Sequence, residues 1–390
     1  MKKDRKKTAF ILVMILIVLS ALALALINLQ REQQIRVERE KIEAFSAADA
    51  LQKSGLFYYN RLTAEEQQIY TKVLSAAAEL QEETESFPVT LSVSGLDSIY
   101  AALTYDNPQM FYVTGLLCKT EGGYSVIRLQ YADTKDTIRK MVARLSAAVG
   151  NAKDYAAARG ANTPFETAAA MHDYLALTAS HADTGLKTNA YSALVLGEAG
   201  PDGYAKAYKL LLSEAGILSY TVSGKTEAGE ETFWNVVFLE GDDKFYHADT
   251  FRDDGEKITH AYFLLDDARF LKDRTAALPG LPVCSDPGDY YKRTGAFSAS
   301  GADLDTTLFS LIARASAEAT DTFEFSAAGS DETAVRAALS ARIKADFPAR
   351  YEDFTLETAD PSLSVYRVVL IPRRAPETTL PETAADTAAP

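Results

Sequence analysis

The order of apolar and polar residues divides the chain into unlike stretches. The run from Thr8 to Asn28 (TAFILVMILIVLSALALALIN) holds no charge, and roughly 20 such residues are what a helix needs to cross the hydrocarbon core of a bilayer. It predicts a transmembrane helix over 8–28, with the lipid bilayer as its partner. Residues 29–54 (LQREQQIRVEREKIEAFSAADALQKS) are rich in Gln, Glu and Arg and lack Pro and Gly, the pattern of a solvated helical stalk. Thr63-Ala64-Glu65-Glu66 is a capping box that opens a helix to about Glu83, with Ile69, Val73, Leu74 and Leu80 on its apolar side. The runs 111–118 and 124–131, joined by Lys119-Thr120-Glu121-Gly122-Gly123, predict a hairpin. Together these elements make a small α+β module over 55–150.

A second capping signal, Thr163-Pro164-Phe165-Glu166, puts Pro at the first helical position and starts a helix through about Thr178. A short helix at 190–196, a helix at 202–215 and strands at 217–223, 233–239 and 244–249 follow. Helices first and strands afterwards indicate an α+β fold with helices packed on an antiparallel sheet, where an alternating β-α-β rhythm would have indicated a doubly wound one. This central domain is expected over 151–296. Residues 307–371 read as a helix, a strand at Phe323-Glu324-Phe325, a helix at 332–345 and a strand at 364–371, a C-terminal α/β module over 297–372. The ending 373–390 has too few apolar residues to bury a core and is expected to be disordered. Its Leu380-Pro381-Glu382-Thr383 resembles a sortase signal, but Ala384 stands where that signal needs Gly and no apolar tail follows.

Charge sets the orientation. MKKDRKK has five basic residues against one acidic over 1–7, which predicts a cytoplasmic N-terminus and an extracytoplasmic globular part on a single-pass cell-membrane protein. A cleaved signal peptide is the alternative, with small residues at Ala21, Ala23 and Ala25, although its apolar region is usually shorter. The chain carries a net charge of −14, and without the +4 of the first seven residues −18 remain, which argues against a nucleic-acid partner. Two cysteines, Cys118 and Cys284, leave a bridge and two separate thiols both open. Neither has the neighbours of a metal site, and no cofactor is expected.

No phosphate-cradling Gly-rich loop, zinc cluster or nucleophile elbow is present. Histidine is scarce: a histidine base has to come from His172, His181, His247 or His260, and His172 lies inside a helix where packing is its expected role. The informative stretch combines Gly203-Tyr204-Ala205-Lys206-Ala207-Tyr208 at a helix start, Phe233-Trp234-Asn235-Val236-Val237 on a strand, and Asp249-Thr250-Phe251-Arg252-Asp253-Asp254 at a strand end. In this order and spacing it resembles the transglutaminase-like superfamily. Bacterial members assemble a Cys-His-Asp triad from a Cys-x-Gly-Tyr-Ala helix start, a His-Ala-Trp-Asn strand and an Asp-x-Thr strand end. The resemblance extends through His172-Asp173-Tyr174-Leu175 and Tyr262-Phe263-Leu264, over roughly residues 50–295, although Phe251 replaces the last Thr. It implies a papain-like cysteine-protease type of core.

Carried over residue by residue, the resemblance yields a degenerate triad. Pro201 stands where the family has its cysteine, Thr232 where it has its histidine, and only Asp249 survives. Triad chemistry needs a nucleophile, a base and an orienting group, and here only the orienting carboxylate remains. Asp202 beside the lost nucleophile is expected to be an anion held by the helix N-terminus. Thr232 lacks a neighbouring histidine to take its proton. Asp202, Tyr204, Trp234 and Asn235 are the residues expected to line the old cleft, with plain core packing the competing role for Trp234. The acidic turns Gly241-Asp242-Asp243 and Arg252-Asp253-Asp254-Gly255 lack EF-hand spacing and are expected to be solvated. The expected function is a membrane-anchored pseudoenzyme that binds an envelope peptide, glycan or protein. A peptidase or acyltransferase with a relocated group, Cys284 being the candidate thiol, and a pure spacer are the alternatives.

Overall fold

The computed structural model describes residues 55–88, 90–182 and 187–373, with Ile27, Leu29, Gln30 and Gln33 as isolated helical positions. The expected transmembrane helix (all but Ile27), most of the stalk and the tail beyond 373 lie outside the described residues. Among the described residues no helix is long and apolar enough to cross a membrane.

The chain after residue 54 opens with helices α1 (Ala64–Ala78) and α2 (Val93–Asp106), then strands β1 (Val113–Glu121) and β2 (Tyr124–Tyr131) and helix α3 (Lys135–Ala158). The Thr63 hydroxyl accepts from Glu66 N and the Glu66 carboxylate from Thr63 N, so the capping box forms as its residues dictate. α1 ends well before Glu83. Leu80 turns out at φ 53°, and Thr84 N and Phe87 N donate to Ile127 O and Ser125 O on the edge of β2. The hairpin is shifted too: Lys119, Thr120 and Glu121 are strand, and Gly122 and Gly123, at φ 60° and 83°, make the two-residue turn. α2, capped by Ser92, and α3, capped by Thr134, are additions to the expected elements, and α3 runs unbroken through position 150.

Helix α4 (Pro164–Thr178) has Pro164 at its first position and a complete capping box from Thr163 and Glu166. A π-helical turn (Ser192–Leu196), helix α5 (Pro201–Glu214), and strands β3 (Ser219–Thr226), β4 (Glu231–Leu239) and β5 (Lys244–Ala248) follow. With β6 (Phe263–Leu265) and β7 (Arg274–Ala276) they form a five-stranded sheet ordered β6-β5-β4-β3-β7, in which the pairs of β4 with β3 and β5 and of β3 with β7 are antiparallel. α5 packs on β3 and β4. The expected α+β order of helices before an antiparallel sheet is therefore what the fold has.

The described residues form two compact units, those up to 258 with 264–286, and 259–263 with 287–373. The second contains β8 (Phe297–Ser298), helix α6 (Gly301–Glu318), β9 (Thr322–Ala327), helix α7 (Glu332–Asp346), β10 (Tyr351–Asp360) and β11 (Val365–Pro372). Its sheet runs β10-β11-β9-β8, with β8 parallel to β9, and α6 and α7 pack together against it. β10 escapes a hydrophobicity reading because YEDFTLETAD is an edge strand with much of its length in solvent.

Candidate functional site

The start of α5 is built without a side-chain cap: Gly200 takes the cap position and Pro201 the first turn, where a missing N–H is harmless. Asp202 lies in the first turn of α5 as expected but makes no capping hydrogen bond there. Its Oδ2 accepts from Lys206 Nζ at 2.9 Å, one turn along the same helix, and its Oδ1 is buried without a partner among the described residues. Burial raises the Asp202 pKa, Lys206 opposes the rise, and the charge of Glu231 adds to it. Lys206 also donates to Thr188 O at 3.2 Å and lies 4.5 Å over the Tyr105 ring. Tyr204 is 1% exposed, and its hydroxyl donates to the Asp254 carboxylate, so it lines no open cleft.

The β4 residues divide between two faces. Thr232 stands opposite Gly224 and Trp234 opposite Val222, while Asn235 pairs with Thr221 on the alternate face. Asn235 Nδ2 donates to Ala205 O of α5 at 2.9 Å, which pins helix to sheet. Trp234 is fully buried, and its indole N–H donates to His247 Nδ1 at 3.0 Å. Trp234 and Asn235 are enclosed and do not form cleft walls. Thr232 makes no side-chain hydrogen bond among the described residues and has no base beside it.

Asp249, the position expected to match the family's carboxylate, is fully engaged. Its Oδ1 accepts from Arg252 N at 3.1 Å, capping the one-turn helix Thr250–Asp253, and its Oδ2 accepts from Arg274 Nη1 at 2.7 Å. Arg274 on β7 is also bonded to Asp273 at 2.9 Å and lies 4.3 Å over the Phe270 ring. Burial raises the Asp249 carboxyl while Arg274 and the Arg252 N–H pull it back. A guanidinium does not give up its proton, so the partner that Asp249 holds is unable to act as a base. No hydrogen bond joins Pro201, Thr232 and Asp249 to one another among the described residues.

The same short segment binds two further elements, which corrects the expectation that 252–255 is a solvated turn. Asp253 Oδ2 lies 3.1 Å from His172 Nε2 and Asp173 Oδ1 lies 3.3 Å from His172 Nδ1, with His172 fully buried on α4. Burial alone would lower the His172 pKa, but hydrogen bonds to Asp173 and Asp253 and their charges outweigh it and raise it to about 9. Asp254 takes the Tyr204 hydroxyl, and His181 donates to Phe251 O at 2.8 Å while stacking on the Phe251 ring at 3.9 Å. Three carboxylates within six residues thus tie α4, α5 and β7 together. Arg274, His172 and Asp254 carry no local pattern that marks them as partners, because each contact spans a long sequence separation.

His247, Asp267 and Cys284 bring their donor atoms within 4.8 Å of one another. The hydrogen bonds speak against a metal there. Because the Trp234 N–H occupies Nδ1, neutral His247 carries its proton on Nε2 and gives it to Asp267 Oδ1 at 2.8 Å, leaving no ring lone pair for an ion. The same bonds leave His247 no free ring nitrogen with which to take the Cys284 proton. Its thiol is buried and pushed up by that burial, by Asp267 and by Asp266, whereas a catalytic thiolate is exposed and depressed. Cys118 and Cys284 are both free. A groove on the β1–β2 hairpin, lined by Glu83, Leu117, Lys119, Tyr124, Val126 and Arg128 among others, contains none of the triad positions.

No family model matches the chain, and no curated protein matches it in sequence. It is similar to a transglutaminase structure at 13% identity and a TM-score of 0.26, covering 42% of this chain and 49% of that one. A candidate protease from Parabacteroides distasonis is similar at 11% identity and a TM-score of 0.25, covering 44% and 40%. A candidate cysteine protease from Cytophaga hutchinsonii is similar at 9% and 0.24, covering 45% and 80%. The chain spans less than half the length of the first two. Its structural neighbours thus include a transglutaminase, a candidate protease and a candidate cysteine protease.

Proposed function

We propose that this chain is a transglutaminase-like pseudoenzyme, a non-catalytic binding or scaffolding module for an envelope peptide, glycan or protein, tethered to the cell membrane through 8–28. The observation that carries the reading is the pairing of Asp249 with Arg274. In a working triad the carboxylate orients a histidine that takes a proton from the nucleophile. Here the carboxylate is neutralised by a cation with no proton to give or take, Thr232 stands at the histidine position, and Pro201 at the cysteine position has no ionisable atom. The bonds that restrain His247 and bury Cys284 weigh against a nucleophile relocated to that thiol.

The test is an assay of the full chain on glutamine- and lysine-containing peptides, with binding to envelope peptides and glycans measured in parallel. Binding without turnover is the expected result. Peptide cleavage or cross-linking that disappears in Asp249→Asn, with circular dichroism unchanged, overturns the reading. Tethering predicts that the chain stays with membranes after alkaline carbonate extraction and is released when 8–28 is deleted.

A further inference from the structure

The interior of the first unit contains a lysine that the proposed function does not use. Lys209 on α5 is fully buried, and among the described residues its ammonium has one hydrogen-bond acceptor, Ser219 O at 2.9 Å. An ammonium has three donors. Asp106, at the end of α2, is also buried and accepts from Tyr58 N at 3.1 Å and Tyr59 N at 2.8 Å. The two charges interact but stand too far apart for a direct ion pair. Tyr58 spans the space around them, since its hydroxyl donates to Thr221 O at 3.1 Å.

Three side-chain atoms in this region are buried and without a partner among the described residues: Ser219 Oγ, Thr221 Oγ1 and Asn107 Oδ1. Ser219 and Thr221 are two apart on β3 and so share a face, and Thr221 is paired with Asn235, whose side chain reaches Ala205, one turn before Lys209. The orphaned oxygens therefore lie on the face that Lys209 approaches. Each such group costs roughly 1–3 kcal/mol if left unpaired, so native interiors rarely leave several together. Lys209 repels a cation and Asp106 repels an anion, which leaves a small neutral molecule that both donates and accepts.

We infer that ordered water occupies the interior between Asp106, Lys209, Ser219 and Thr221 and joins the two separated charges as a water-bridged ion pair. Buried waters make about three hydrogen bonds each, to polar groups that otherwise have no partner. The bridge links the end of α2 to the middle of α5, and so ties the module before residue 150 to the helix that carries Pro201. Burial raises the Asp106 carboxyl and lowers the Lys209 ammonium, and the charge of each opposes the shift of the other.

Thr221→Val in the full chain tests this, because the two possibilities predict opposite signs. If water bonds Thr221 Oγ1, losing that bond lowers the folding equilibrium constant about five-fold, read as a lower urea midpoint. A midpoint that is unchanged or higher, the response of an orphaned hydroxyl replaced by a methyl, overturns the inference. A crystal structure of the unaltered full chain gives a second reading. Water within about 3 Å of both Lys209 Nζ and Thr221 Oγ1 is expected. A dry interior, or Lys209 Nζ in direct contact with Asp106, overturns it.

Discussion

Arg274 neutralises Asp249 in the interior. Its guanidinium is the counter-charge of a carboxylate buried with it, and removing one partner of such a pair costs about 3–5 kcal/mol because the other charge is stranded. Arg274→Met should therefore destabilise the chain by about that amount in urea unfolding, and adding Asp249→Asn should recover part of the loss. His172 makes a different prediction. Its pKa is raised from 6.5 to about 9, so the folded form holds its proton more tightly than the unfolded form does. The resulting stability is fully present below pH 6.5 and is lost as the pH rises through 9, by on the order of 3 kcal/mol. The stability advantage of the unaltered chain over His172→Gln should shrink from pH 6 to 10, a comparison that cancels the opposite trend from Lys209, whose lowered pKa favours the folded form as the pH rises. The identities of Pro201, Thr232 and Asp249 were legible in the sequence because they follow landmarks at fixed spacing. The partner of Asp249 was not, since 25 residues separate it from Arg274 and only the pairing of β7 with β3 brings the guanidinium in.

At the scale of elements, local chemistry and close approach decide different things. The capping boxes at Thr63 and Thr163 lie within four residues each, and both form. Thr63→Ala should cost about 1 kcal/mol, seen as a small drop in thermal midpoint with the fold unchanged. Gly224 answers to the tertiary structure instead. A Cβ there would stand 2.3 Å from Thr275 O and 2.6 Å from the Trp234 ring, so β7 or the indole would have to move. Gly224→Ala should destabilise by about 1–3 kcal/mol through overpacking, with a red shift or broadening of the emission of Trp234, fully buried in the native fold, as the check. α2 and α3 were missed where helix α4 was found: α2 holds Gly95, and α3 (KDTIRKMVARLSAAVGNAKDYAAA), although its buried stripe includes Ile138, Val142, Leu145 and Val149, opens on Thr134 without the Glu or Gln three residues on that completes a capping box.

For the whole molecule, the path of the chain between its two units matters most. Residues 259–263 belong with 287–390, although residues on either side of them belong to the first unit. Tyr262 donates to Asp360 at 2.8 Å and Phe263 packs edge-on to Tyr290. A chain truncated after Asp286 loses those partners and should expose apolar surface, read as increased dye binding and aggregation relative to the full chain. What the sequence determined by itself was everything set by neighbours: the uncharged run at 8–28, the capping boxes, the α+β order, and Pro201 and Thr232 at their places before Tyr204 and Trp234. These depend on charge, on helix ends and on strand alternation, all of which act over a few residues. What only the tertiary structure decided was the use of each buried polar group. Asp249 went to Arg274, Asp253 to His172, Asp254 to Tyr204, and Trp234 to His247. Burial strips water from each of these groups and makes a partner obligatory, and which partner comes within reach is a property of the folded sheet and helices.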